Sequence, residues 1–106
     1  MISNLKEFIP VKSINYVSSL IEKENIQFKI VRERSSKHGD FKRTINGEYI
    51  ITINRFYNPY RFILTLIHEL AHYFVTIKYY KAKPHGTHWK NKFKKLLNQI
   101  VYLNKL

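Results

Sequence analysis

No cysteine occurs among the 106 residues. That excludes a disulfide framework, a cysteine-ligated zinc ribbon, an iron–sulfur cluster and a thiol nucleophile. Apolar runs extend over only a few residues, so no helix is expected to span a membrane. The opening stretch Met1–Glu7 has no apolar core ahead of a small-residue cleavage site, and no signal peptide is expected. Glycine and proline number three each, so chain punctuation is sparse and each instance carries information. No repeat, low-complexity tract or linker is visible. The length leaves room for one core, so a single domain over 1–106 is expected.

Acidic residues are also scarce. Seven Asp+Glu face nineteen Lys+Arg, for a net charge of +12. A domain this basic suits a polyanionic partner, most often nucleic acid. A compositional bias towards Lys, Asn, Ile and Tyr would give the same balance. What the chain does have is apolar and aromatic material, at 44% and 15%, enough for a small packed core.

Periodicity places the elements in an α+β order. Ile14, Val17, Leu20 and Ile21 recur at helical spacing in a helical segment over about 4–24, broken or started at Pro10, with Ser13 as a plausible N-cap. Residues 26–32 alternate apolar and charged and read as a strand. A loop over 35–40 follows. Two β-rich runs, 41–45 and 48–53, flank Asn46-Gly47, a hairpin signal in which both turn residues tolerate positive φ. A small antiparallel sheet of about three strands is therefore expected. Asn58-Pro59 then opens a helix over about 59–79, with Asn as N-cap and Pro in the first turn. Apolar residues cover most of its circumference, so it should be central and buried. Residues 81–87 form a loop. A last, basic amphipathic helix over about 88–103 puts Trp89, Phe93, Leu96, Leu97, Ile100 and Leu103 on one face.

The chemistry sits in the most apolar of these helices, at His68-Glu69-Leu70-Ala71-His72. Residues four apart are ~40° apart round a helix and ~6 Å along it. Both imidazoles can converge on one ion, with Glu69 beside them, able to take a proton from a water. This is the H-E-x-x-H metal-hydrolase pattern, and neutral imidazole suits zinc. Three ionisable groups left unpartnered on a buried helix would cost several kcal/mol; a metal, or a core hydrogen-bond network, removes that cost. Catalytic zinc commonly takes three protein ligands. No Asp or Glu follows Glu69, so no later carboxylate can be the third. A metzincin extension would need Gly and His where the chain has Val75 and Lys78. Only His85 and His88 remain, in Lys83-Pro84-His85-Gly86-Thr87-His88-Trp89. His85, in the loop, is freer to reach back, and Gly86 would permit close backbone approach. His88, in the first helical turn, is the alternative, or a supporting or substrate-contacting group. His38 reads as exposed.

His68-Glu69-Leu70-Ala71-His72, followed by His85-Gly86-Thr87-His88-Trp89 and a basic amphipathic helix, resembles the SprT-like (Spartan-like) zinc metalloproteases. Their pattern is H-E-x-x-H, a short spacer, then H-G-x-x-aromatic. The resemblance implies a zincin-like metalloprotease core, one Zn²⁺ on His68, His72 and His85, and Glu69 as general base. It places the family's aromatic at Trp89. It also implies proteolysis of DNA-associated or DNA-crosslinked proteins. The cysteine zinc ribbon that many members carry is absent, so DNA contact would fall to the protease core.

Sequence-independent phosphate contacts are expected from Lys83, Lys90, Lys92, Lys94 and Lys95, unless these merely solvate a helix face. Trp89 could stack on an unpaired base or belong to the core. Tyr73, Tyr79 and Tyr80 lie near enough in sequence to donate to a developing oxyanion, with nothing to choose among them. A cytoplasmic location is expected, nucleoid-associated if the source is bacterial, with a protein substrate, a DNA partner and no membrane. Two other functions remain open: a basic nucleic-acid-binding module with a structural or vestigial zinc, and a zinc peptidase cleaving one specific regulator.

Overall fold

The computed structural model describes residues 3–79 and 81–105. Its elements are α1 (Ser3–Lys6), a 3-10 turn (Val11–Ser13), α2 (Ile14–Ile21), β1 (Ile26–Val31), β2 (Gly39–Arg43), β3 (Tyr49–Asn54), α3 (Pro59–Lys78) and α4 (Thr87–Asn104). The architecture is α+β.

The N-terminal segment is helical only in pieces. Pro10 is extended, with ψ 139°, and separates α1 from the 3-10 turn. Ser13 does not cap α2. Its backbone is already helical (φ −96°, ψ −10°), whereas a capping side chain works from an extended backbone. The Ser13 hydroxyl, fully buried, instead accepts from Asn104 Nδ2 at 2.8 Å. That bond ties the start of α2 to the end of α4.

The sheet is mixed, not antiparallel as expected. Its order is β1-β3-β2. β2 runs antiparallel to β3, with Phe41 opposite Ile51, while β1 runs parallel to β3, with Phe28 opposite Ile51. The reason lies in β3. It buries Ile50, Ile51, Ile53 and Asn54, so it takes the centre and gains a partner on each side. β1, interrupted by Gln27 and Lys29, is left at an edge.

Residues 32–38 carry the chain from β1 across the end of β3. Asn54 holds this crossover. Its buried amide accepts from Arg34 Nε at 2.7 Å and donates to the carbonyls of Arg34 and Lys37 at 3.2 and 2.7 Å. The hairpin between β2 and β3 forms as expected but with a different turn. Thr44 N–H donates to Glu48 O and Gly47 N–H to Thr44 O. Only Gly47 has positive φ, at 82°. This is a three-residue loop closed by a left-handed glycine, not a two-residue Asn-Gly turn.

α3 is the centre of the core. Asn58 caps it, accepting from the N–H groups of Tyr60 and Arg61. Phe62, Ile63, Leu66, Ile67, Leu70 and Ala71 are fully buried. They meet Ile51 and Ile53 of the sheet, Leu96 and Ile100 of α4, and Leu5, Val17 and Ile21 of the N-terminal pieces. Each large side chain of this set contributes roughly 1.5–3 kcal/mol by burial. That packing fixes how α3 is rotated, and so which way its polar residues face. Among the described residues no helix is long and apolar enough to cross a membrane.

Candidate metal centre

Two α3 side chains and one loop side chain meet at a point. His85 Nε2 lies 3.0 Å from His72 Nε2 and 3.3 Å from His68 Nε2. Donors at 2.0–2.1 Å from a tetrahedral zinc are roughly 3.3–3.4 Å from one another. Two of the three edges thus stand near those of one face of a metal tetrahedron, and all three ligand atoms lie within 4.8 Å of one another. Two of the rings are also held towards the neutral form. Burial, then the charges of His68 and His85, push His72 down to about 4. Burial, then His85, also lowers His68. Neutral imidazoles offer lone pairs to a cation. The residues therefore fit zinc.

His85 reaches the other two by way of a strained backbone. Gly86 N–H donates to Lys83 O at 3.0 Å, closing a turn with Pro84 second and His85 third. His85 has φ 58°. Proline second and positive φ third are the marks of a type II turn, whose third position ordinarily takes glycine. Gly86 itself has φ −79°. It is needed for room, because a Cβ there would lie 3.1 Å from Lys83 Cβ and from Lys83 O. The positive φ falls on the histidine and not on the glycine beside it.

Trp89 lies against all three imidazoles. Its ring centre is 4.8 Å from His68, 4.7 Å from His85 and 5.4 Å from His72. Its Nε1 donates to the His68 carbonyl at 3.2 Å, and Phe93 stacks beneath it. Its ring contacts and its donor are thus engaged within the protein. Phe41 of β2 stacks on His72 from the opposite side.

Glu69 is 7% exposed. Its carboxyl lies against Gly39, at the start of β2. A Cβ on Gly39 would sit 3.0 Å from Glu69 Oε2 and 2.7 Å from Thr65 Cγ2. Burial first, and the Asp40 charge second, push the Glu69 carboxyl up to about 7, against the pull of Arg34 and Lys37. A carboxyl placed there exchanges protons near neutrality.

The site opens on both sides. One hollow of about 390 Å³ is bordered by His68, Glu69, His72, His85 and β2. A second of about 520 Å³ lies towards Ser35–His38 and shares Gly39, His68 and Glu69 with the first. Together they form a groove past the metal point. Its wall is β2, a sheet edge with one side unpaired among the described strands.

The remaining expected site residues scatter. His88 faces away from the groove and stacks on Tyr79, ring centres 3.7 Å apart and 13° from parallel. Tyr73 is buried and donates its hydroxyl to Glu24 Oε1 at 2.7 Å, and burial and that bond raise its pKa. Tyr80 lies outside the described residues. His38 is exposed, 3.4 Å from Arg61 Nη2. Of the five lysines, only Lys83 borders the metal groove. Lys92 and Lys95 line a different hollow. By helical geometry Lys90 and Lys94 lie ~110–150° round α4 from that hollow. Gly39, Asp40 and Phe41 were not legible as site residues. The one available signal was a glycine entering a strand, which often marks close approach.

The SprT-like family model matches residues 16–104. The chain belongs to the SprT-like family. The match takes in β1 to β3, α3, the His85 loop and α4, and so every group of the metal point. SprT-like proteins are metal-dependent and associated with metallopeptidase activity, which agrees with the three-histidine cluster seen here. No curated protein and no solved structure matches the chain.

Proposed function

We propose that this SprT-like chain is a zinc-dependent endopeptidase of zincin-like design, acting on proteins at or near DNA. The observation that carries the peptidase reading is the convergence of three imidazole nitrogens beside a buried carboxyl, on a groove. A structural zinc site is closed by four protein ligands. Here three histidines cluster and the groove runs along them.

His68, His72 and His85 would hold the ion. Bound zinc supplies Lewis acidity at the groove. Glu69 takes the proton of the attacking water and returns it to the leaving amine. Trp89 and Phe41 brace the imidazoles from two sides, and Gly39 leaves room for the Glu69 carboxyl. The free edge of β2 suits an extended peptide, which would add as a strand through main-chain hydrogen bonds. The DNA half of the reading is supported by the net charge of +12 and by eight lysines and no acid after Glu69.

Metal content tests the site. Purified without supplementation, wild type should hold about one zinc per chain. His85→Ala should lose most of it and His88→Ala should keep it. Loss in the His88 variant instead would overturn the assignment. Glu69→Gln should keep zinc and lose cleavage of an unstructured protein substrate. Retained cleavage would overturn the general-base role. Absence of cleavage in wild type, with or without DNA, would favour a binding module with a structural zinc. Cleavage indifferent to DNA would favour a peptidase for one specific regulator.

A further inference from the structure

Beside the metal groove, across Val75, lies a third hollow of about 380 Å³ between α3 and α4. Lys78, Tyr79, His88, Lys92 and Lys95 surround it, next to Phe74. His88, Lys92 and Lys95 follow one another at helical spacing on α4, ~120° round the axis from Trp89 and Phe93. The hollow is thus a separate feature of the same two helices.

Its charge is one-sided. Among the described residues three ammonium groups border it and no acidic one does. Among the described residues none of the three has a carboxylate within ion-pair distance. Lys92 is half-buried, its Nζ 4.7 Å from the Phe74 ring centre. Burial first, then the charges of Lys95 and Lys78, hold its pKa below the usual lysine value. Like charges drawn together and partly out of water repel one another, and a bound anion relieves this. The hollow also has an aromatic part. The stacked pair Tyr79–His88 is exposed at its mouth, with Lys78 Nζ 5.4 Å from the Tyr79 ring centre. A simple anion has no use for rings. A base with a free face does, and bases offer free faces in single strands.

We propose that this hollow binds single-stranded nucleic acid, with backbone phosphates on Lys78, Lys92 and Lys95 and a base stacked on the Tyr79–His88 pair. The proposal rests on the nucleic-acid half of the functional reading and not on its peptidase half.

The test uses the full zinc-loaded chain carrying Glu69→Gln, which removes cleavage from the assay. A labelled oligothymidylate is titrated by fluorescence anisotropy over a salt series, with a duplex of equal length and polyglutamate as comparison probes. Replacing Lys78, Lys92 and Lys95 together by Gln should weaken oligothymidylate binding about thirtyfold or more. It should also lower the salt slope by about 2, three contacts at ~0.7 each. The charge-matched replacement of Lys90, Lys94 and Lys105 by Gln should cost less than about threefold. Tyr79→Ala and His88→Ala should each weaken single-strand binding about tenfold and leave the duplex unchanged. Zinc content and thermal melts establish that each variant is folded.

Equal losses in both lysine triples would overturn the pocket while leaving DNA association standing. Ring variants without effect, or polyglutamate competing as well as oligothymidylate, would overturn recognition of a nucleic-acid strand. No binding of either nucleic acid would sink this proposal and the DNA half of the functional reading together, and leave peptidase activity to its own assay.

Discussion

His85 combines a ligand position with a backbone that suits glycine. The left-handed conformation costs a residue with a Cβ roughly 1–2 kcal/mol. Two substitutions separate the costs. Both His85→Ala and His85→Gly remove the ligand, but only glycine relieves the backbone. With metal stripped from both, the glycine variant should be the more stable by about 1 kcal/mol, measured by urea denaturation. Equal stabilities would mean that the turn relaxes once the imidazole is gone. Gly39 poses the reverse case, where a missing Cβ makes room for the Glu69 carboxyl. In Gly39→Ala the new Cβ would meet Thr65 Cγ2 at 2.7 Å and the Glu69 carboxyl at 3.0 Å, so both side chains must shift. The expected result is a stability loss of about 1–3 kcal/mol, full zinc content, and a fall in kcat of about tenfold or more.

At the level of elements, Asn54 decides more than its strand position suggests. It bonds both Arg34 and Lys37 across the crossover, and the crossover delivers Gly39 to the metal groove. Arg34 Nη2 is already buried without a hydrogen-bond partner among the described residues. Asn54→Ala would strand further buried groups and should cost about 3 kcal/mol in thermal or chemical unfolding. Amide exchange in residues 32–38 should rise with it.

α3 was legible almost to the residue, because Asn58-Pro59 is a local start signal and the apolar residues recur at helical spacing. The histidine pair and Glu69 came with it. The His85 loop was legible as a source of the third imidazole, but its strained turn was not. Nothing in Pro84-His85-Gly86 says which of the last two residues takes the positive φ. The parallel pairing of β1 was hidden for another reason. Strand order depends on which strand is buried on both sides, and that is settled by packing against α3. The contribution of β2 to the site was hidden with it.

For the whole molecule, the dominant fact is charge. Twelve net positive charges sit on a body of 34 × 29 × 28 Å, with one ion pair among the described residues, Lys37–Asp40. The core must hold against that repulsion, and a metal joining α3 to the His85 loop would add a further tie. A ligand that binds only the folded chain stabilises it by about 2.7 kcal/mol at a hundredfold excess over Kd. In a domain of this size that is roughly 10–20 °C in Tm. Chelation should lower Tm by an amount of this order, and added zinc should restore it, in wild type and Glu69→Gln alike but not in His85→Ala. A Tm indifferent to chelator would count against a resident metal.

The open edge of β2 has a consequence for discrimination. A peptide laid along it is gripped by amide and carbonyl groups that every polypeptide presents at the same spacing. Such a grip reads conformation, slack enough to become a strand, and is nearly blind to the order of side chains. Selectivity in a chain built this way therefore has to be a matter of address. On the proposed reading, what would be cut is whatever unstructured segment is held within reach of the groove for long enough.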